Sequence, residues 1–510
     1  MKKIFLLIIT LMVNQLHAHG DAHDEEDFLV KEFGNLGKVE LTTSCEKNQQ
    51  TNMNIALSLF HHMMYKQAEI NFKAIIKKQP DCAMAYWGYA MTLFHPLWPD
   101  TISQESLLLG EKAINKAISF SNTTKRETLY LNATANYYNN WQNTKDKDRI
   151  IAWEQGQKLL YNKYPNDIDA AAIYALSHIA TASMSDKNLT HQKQAGVILD
   201  ELYKIAPLNP GVVHYSIHAY DSNLLASKAI VAARAYDKIA PNVPHALHMP
   251  SHIFVRLGLW QDVVSWNIRS AKAALNYPTA GTTSMHYAHA IDYLIYAYLQ
   301  LSQYNKVQLV INKLQSYHNY QDVFPAAYAL AAIPARQVLE QKQWLLAKEL
   351  KPKQPHYLSW DRYPQVQAIT YFAKGLGAAR SADLEVANQN IDILNELYEK
   401  TLKLSPNYWA KLVDAQRQTV QAWITFSKGE TERAITQLTQ AADLEDSLDK
   451  DPVTPGAVMP SRELLGDMLV MNKDYKSALL AYEKTLLINP NRLNSKRGID
   501  FCKTKLGHMK

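Results

Sequence analysis

Beyond residue 50 the apolar positions recur at spacings of three and four almost throughout, the rhythm of amphipathic helices. No stretch keeps the apolar–polar alternation of a half-buried strand. Glycine is scarce, and proline falls mostly between the helical stretches. A longer period overlies the helical one. In MPSRELLGDMLVMNKDYKSALLAYEKTLLINP the seventh and eighth positions are Leu465 and Gly466. Tyr475, Ala478 and Tyr482 follow at positions 17, 20 and 24, and Pro490 at 32. The same frame returns in Ala68, Phe72 and Pro80, in Ala195, Leu199 and Pro207, and in Ala229, Ala233 and Pro241; Ala434, Leu438 and Ala441 fit it near the end. Units starting at Leu176, Pro210 and Pro244 are 34 residues apart. An insertion around 278–283 displaces the next, expected to begin near Ala288, and looser units lie near Tyr328 and Ala368.

A 34-residue unit with small residues at its helix crossing and proline at its exit is the tetratricopeptide repeat. The expected fold is therefore all-α, a right-handed solenoid of stacked antiparallel helix pairs. Each pair is too amphipathic to fold alone, and stacking buries one continuous core. Two insertions interrupt the array: HPLWPD at 95–100, whose two prolines bar a regular helix, and DLEDSLDKDPVTPGAVMP at 443–460, which ends one helix and bridges to the last repeat. The expected division is a signal segment at 1–18, an acidic histidine-containing segment at 19–48 and the solenoid at 49–445, its histidine-rich centre at 210–296. A proline-containing connector follows at 446–458, then a last repeat and capping helix at 459–510.

Several strings carry a more specific resemblance: CAMAYWGYAM (82–91), HPLW (95–98), HYSIHAYD (214–221) and PHALHMPSHIFVRLGLW (244–260). HAIDYLIYAYLQ (289–300), AAIPAR (331–336), AADLED (441–446) and PVTPG with SRELLGDML (452–469) belong with them. Together they span most of 45–500, and the chain resembles a bacterial family of exported tetratricopeptide-repeat proteins. The resemblance implies the fold and export; it brings no activity and no catalytic residues.

Histidine is concentrated where the repeat is most regular. Seven of the 18 histidines fall between residues 214 and 289. In this repeat the first helix of each pair lines the concave face through its second, fifth, ninth and twelfth positions. From Pro210 these positions include His214, His218 and Asp221; from Pro244 they are His245, His248 and His252; from Ala288 they are His289, Asp292 and Tyr296. The expected rows are His214, His248 and Asp292, then His218, His252 and Tyr296. Neutral imidazoles four apart on one helix face can share a borderline metal, and an aspartate adds a harder ligand. His214, His218, His248 and His252 are thus the candidate ligands of zinc, copper, nickel or iron. There is no HExxH, CxxC or thiolate pair. The alternatives are a hydrogen-bonded polar groove and acid/base catalysis. The last has little support: Ser251 beside His252 is no triad, because adjacent helical residues point apart. His61 and His62, also adjacent, are expected to be structural or exposed.

The leading expectation is a solenoid whose concave His/Asp/Tyr-lined groove binds a peptide, protein segment or small ligand. A metal-dependent enzyme or metal-handling protein is the rival. Composition adds compartment and exclusions. Lys2 and Lys3, a ten-residue apolar run and Ala18 have the form of an export signal cleaved near Ala18, leaving a periplasmic or secreted chain. No later run is long enough to span a bilayer. The net charge of +6 falls to +4 with the signal removed, and no Lys/Arg cluster is dense enough for nucleic acid. The segment HGDAHDEED (19–27) reads as a solvated tail, or as a weak chelator if cleavage leaves His19 at the N-terminus. Of three cysteines, Cys45 and Cys82 can pair after export, leaving Cys502 over.

Overall fold

A computed structural model describes residues 33–97, 102–183, 186–277, 279 and 281–507. The expected signal segment, His19, the acidic stretch at 19–27, and Trp98, Pro99 and Asp100 of the first insertion lie outside the described residues. The rest is an array of helix pairs, and among the described residues there are only two isolated β-bridges and no strand. Tetratricopeptide-type pairs run from Gln50–His61 with Tyr65–Lys78 to Ser461–Met471 with Tyr475–Ile488, and Leu493–Gly507 caps the last. Short polar caps start many of these helices. Thr124 and Glu127 form a reciprocal capping box, and Asn209 accepts from the Val212 N–H with Pro210 in the first turn.

The turns inside seven of the pairs share a signature. Met63, Gly258, Ser302, Lys342, Ala382, Gly429 and Lys473 all have φ between 54° and 85° and sit two residues before the second helix. One left-handed residue there reverses the chain tightly enough to lay the two helices antiparallel. At the crossing in the last pair, a Cβ on Gly466 would lie 2.6 Å from the Tyr482 ring, and one on Gly498 only 2.4 Å from its other side. The phenol fills a slot that two hydrogens make.

Two boundaries differ from the expected frame. The helix assigned to a unit at Leu176 runs Ile168–Ala180, starting eight residues early, and the next helix is Thr190–Ile205. The helix expected from Ala288 runs Met285–Gln300, capped by Ser284. Starting three residues early, it turns a different set of side chains inward.

The array also closes on itself. Gln50–His61 packs against Pro210–Tyr220, and Met285–Gln300 against Leu493–Gly507. An extended segment, 33–44, lies over the central units: Phe33 stacks on Tyr277 with centroids 4.4 Å apart, and the Lys38 N–H donates to Leu208 O at 2.8 Å. Cys45 and Cys82 are joined by a disulfide, with Cα atoms 5.0 Å apart, tying this segment to the start of Ala83–Thr92; Cys502 is free and buried. The connector after Asp446 crosses the first helices of several pairs. Arg336 donates from Nε to Asp292 at 2.9 Å and from its terminal nitrogens to Thr454, Gly456 and Ala457 at 2.8–3.0 Å. Tyr293 donates to the carbonyls of Pro452 and Thr454, and the Asp451 N–H donates to Tyr408. The connector thereby occupies part of the face that these first helices present. Among the described residues no helix is long and apolar enough to cross a membrane.

Candidate functional site

Beside the connector lies a cavity of about 290 Å³ where three histidine-bearing first helices meet. His218, His245, His252, His286 and His289 line it, with Met249 and Met285. Asp451, Pro452 and Val453 of the connector form another wall. His214 and His248 sit one layer deeper, both fully buried.

Pro210–Tyr220 contributes His214 and His218, four apart on one face with ring centroids 4.8 Å apart. The next stretch is split. Pro250 has no N–H to donate, so Pro244–His248 and Pro250–Arg256 meet at Met249, with His248 and His252 straddling the join at 5.0 Å. Met285–Gln300 presents His286, His289 and Tyr293. Across helices the rings pair as His214 with His245 at 5.1 Å, His245 with His286 at 5.4 Å and His248 with His289 at 4.3 Å. His218 and His252 are 6.4 Å apart, and Tyr293 lies 4.5–5.5 Å from His248, His252 and His289.

The expected rows are therefore corrected. Asp292 and Tyr296 do not join the histidines. Asp292 accepts from Arg336, and Tyr296 lies under the Arg336 guanidinium at 5.0 Å with its hydroxyl 3.0 Å from Arg492. His286 and Tyr293 occupy the inward positions instead. Their spacing with His289, three and then four, was visible in the chain; a helix start three residues early is what brings them in. Asp221 does reach the cluster, through His252. His61 and His62 are both buried outside it. His61 binds Tyr215 and Asp169, His62 binds Tyr236 and the Leu36 carbonyl, and the His61 carbonyl accepts from His214 Nδ1 at 2.7 Å.

Electrostatics keep the rings neutral. Burial pushes His218 down to about 3 and His286 to about 4, and holds His214, His245, His248 and His289 well below the usual imidazole range, with neighbouring rings adding to the effect in all but His286. Burial lowers His252 as well, against the opposing pull of Asp221. Burial would raise Asp221, but Lys450, Arg256 and His252 outweigh it and hold that carboxyl well below the carboxylate range.

The hydrogen bonds then fix tautomers. The Asn267 amide nitrogen donates to Ser251 Oγ and Val263 O, so its oxygen is an acceptor for His248 Nδ1–H at 2.8 Å. The Asp221 carboxylate accepts His252 Nδ1–H at 3.0 Å. With both rings neutral, each Nε2 carries a lone pair, yet these two nitrogens face each other 3.1 Å apart. Nothing on either ring is left to donate between them. A cation fits: two imidazole nitrogens at about 2.0–2.1 Å on a tetrahedral ion are separated by about 3.3 Å. Nδ1–H donated outward to a carboxylate, amide or backbone oxygen is also how ligating imidazoles are oriented.

The ligand atoms of His248, His252 and His289 lie within 4.8 Å of one another, and so do those of His214, His218 and His245. His214 Nε2, His218 Nε2 and His289 Nδ1 are buried without a hydrogen-bond partner among the described residues.

No family model matches the chain, and no curated protein matches it. Solved helical-repeat structures align with most of it at low identity. The TPR domain of P58(IPK) is 11% identical over 91% of this chain and 99% of its own, with a TM-score of 0.22. The Cut9-Hcn1 hetero-tetramer of the APC/C gives 9% over 90% and 97%, with a TM-score of 0.32. Yeast Tom70 gives 11% over 90% and 88%, with a TM-score of 0.27. Scores this low carry no argument about partners or activity.

Proposed function

We propose that this chain is an exported helical-repeat protein that binds a transition-metal ion through His248, His252 and His289. The observation that carries the reading is the pair of Nε2 lone pairs 3.1 Å apart, each on a ring whose Nδ1–H is committed elsewhere. His252 and His289 border the cavity, so an ion there is reachable from it and keeps a coordination position for a small ligand. Export is supported by the N-terminal sequence pattern and by the disulfide, a bond at home in an oxidising compartment. The connector occupies part of the face along which an extended peptide would lie. The ligand is accordingly a metal, with or without a small molecule on it, rather than a protein segment laid along the groove. Catalysis is not required by the geometry.

The test is elemental analysis of protein purified without chelator, then stripped and reloaded with zinc, copper, nickel or iron. At least one ion per chain is expected, with His248→Ala depleted and His356→Ala, an exposed control, unchanged. Protein that takes up none of the four metals would remove the reading.

A further inference from the structure

The histidines form two triads, whereas one ion needs only one of them. Resting on the metal reading above, we infer that the cluster is a two-ion site, with His248, His252 and His289 holding one ion and His214, His218 and His245 the other, and that its metal is copper in the Cu(I) state.

The second triad shares the spacing of the first and one of its outward hydrogen bonds. Its ligand atoms are mutually within 4.8 Å. His214 Nδ1–H is committed to the His61 carbonyl at 2.7 Å, which leaves His214 Nε2 as an inward lone pair, buried and without a hydrogen-bond partner among the described residues. His218 Nε2, about one helical turn on at a ring distance of 4.8 Å, is likewise buried without a hydrogen-bond partner among the described residues. The triads adjoin through His218 and His252, whose centroids are 6.4 Å apart, so both ions would lie in one chamber. A hydrogen-bonded structural core would have turned these nitrogens toward donors.

Charge selects the metal. All six ligands are neutral imidazoles, and the acids nearest them are partly spent. Asp221 accepts Arg256 Nε at 2.8 Å and lies 3.4 Å from Lys450, and Arg256 also pairs with Asp449. Two divalent ions would add four positive charges beside Arg256 and Lys450, whose own charge Asp221, Asp449 and Asp451 already offset, leaving at most one carboxylate in excess for the ions. Desolvation makes that arrangement costly. Two monovalent ions halve the added charge. The soft side chains agree: Met249 and Met285 line the cavity beside His245 and His286, and thioethers with imidazoles select Cu(I) over zinc or iron.

The experiment is anaerobic titration of the stripped full-length protein with Cu(I) against a chromophoric Cu(I) chelator, with bound copper counted by elemental analysis. The chain should retain two copper ions, His289→Ala one and His218→Ala one, with circular dichroism of each variant as the check on folding. Met249→Leu with Met285→Leu should weaken Cu(I) at least tenfold and leave any zinc binding unchanged, and zinc should load at no more than one per chain. A single copper per wild-type chain overturns the two-ion site and leaves the metal reading standing; no metal of any kind overturns both. If one variant is misfolded, the wild-type count alone decides. Two zinc ions bound as tightly as two copper ions would overturn the copper assignment.

Discussion

Arg492 closes the array, and its replacement is the strongest test of how the ends are held. Its guanidinium is fully buried. Nε lies 2.7 Å and Nη2 3.0 Å from the Glu463 carboxylate, Nη2 is also 2.7 Å from Glu340 Oε1, and Nη1 donates to Tyr296 at 3.0 Å. Arg492→Met keeps much of the stem and removes the cation paired with both buried carboxylates, Glu340 and Glu463. Breaking a buried pair in this way costs about 3–5 kcal/mol, and the second carboxylate puts the expected loss at the upper end. Because a repeat touches mainly its neighbours, the loss should appear as local opening of Ser461–Met471 and Leu493–Gly507. Hydrogen exchange of peptides from those helices reads it directly, as a roughly hundred- to several-thousand-fold acceleration unless full opening intervenes. The pH dependence follows. Burial already raises Glu340, against the opposing pull of Arg492. Without Arg492 it rises further, so the folded state holds a proton that the unfolded chain releases. The deficit should be largest at neutral pH and shrink as pH falls toward the unfolded carboxyl value of about 4.3. Adding Glu340→Gln and Glu463→Gln should restore most of the protection, since it removes the unpaired charges but not the lost packing. Exchange within threefold of the parent in Arg492→Met would refute the closure argument.

Gly466→Leu should lower stability by about 1–3 kcal/mol, because the Tyr482 ring it would meet is held from behind by Gly498; an unchanged melting temperature would show that the two glycines do not set this crossing. Removing the disulfide with Cys45→Ser and Cys82→Ser should cost about 2–4 kcal/mol for a bridge spanning a sequence separation of 37, and identical melting with and without reductant would count against it. Glu445 is raised by burial to about 7, although the Ser461 N–H donates to it. A folded value above the unfolded one means that its contribution is greatest below about pH 4.5 and is lost as pH rises to 7, about 3 kcal/mol in all, so Glu445→Gln should flatten that part of the stability profile. A variant with the parent's slope would sink this assignment.

The pairs, their crossings and their order were legible because each depends on local side-chain size. Leu465, Gly466, Ala478 and Tyr482 can be read in their frame without knowing where the pair sits. The histidine face was legible only where the frame ran unbroken, from Pro210 to Arg256. One insertion later it failed by three residues. Taking Ala288 as the start turned His289, Asp292 and Tyr296 inward; with Met285 as the start, the second, fifth and ninth positions become His286, His289 and Tyr293. Three residues on a helix is about 300° of rotation, close enough to a full turn to keep one histidine near the face and far enough to exchange its neighbours. Ser284, the cap that sets this start, was in plain view, but a serine beside Thr282 and Thr283 does not announce which of the three ends the loop. Nor could periodicity show that PVTPG would turn back across the concave face, since the partners that hold it, Arg336 and Tyr293, lie more than a hundred residues away.

Closure and site belong to one arrangement. An imidazole facing water near neutral pH exchanges protons freely, and a metal must compete for it. These rings are neutral because they are buried, and part of that burial comes from segments outside the repeats. The connector supplies Asp451, Pro452 and Val453 as a wall of the cavity, and Leu36 of the extended segment caps His62 behind His214. The connector is held in turn by Asp292 through Arg336, and the last repeat by Tyr296 through Arg492. Met285–Gln300 therefore carries two faces with separate work. His286, His289 and Tyr293 build the chamber, while Asp292 and Tyr296, one register over, fasten the segments packed against it. An open solenoid with the same histidines would have the ligands without the desolvation that commits their lone pairs.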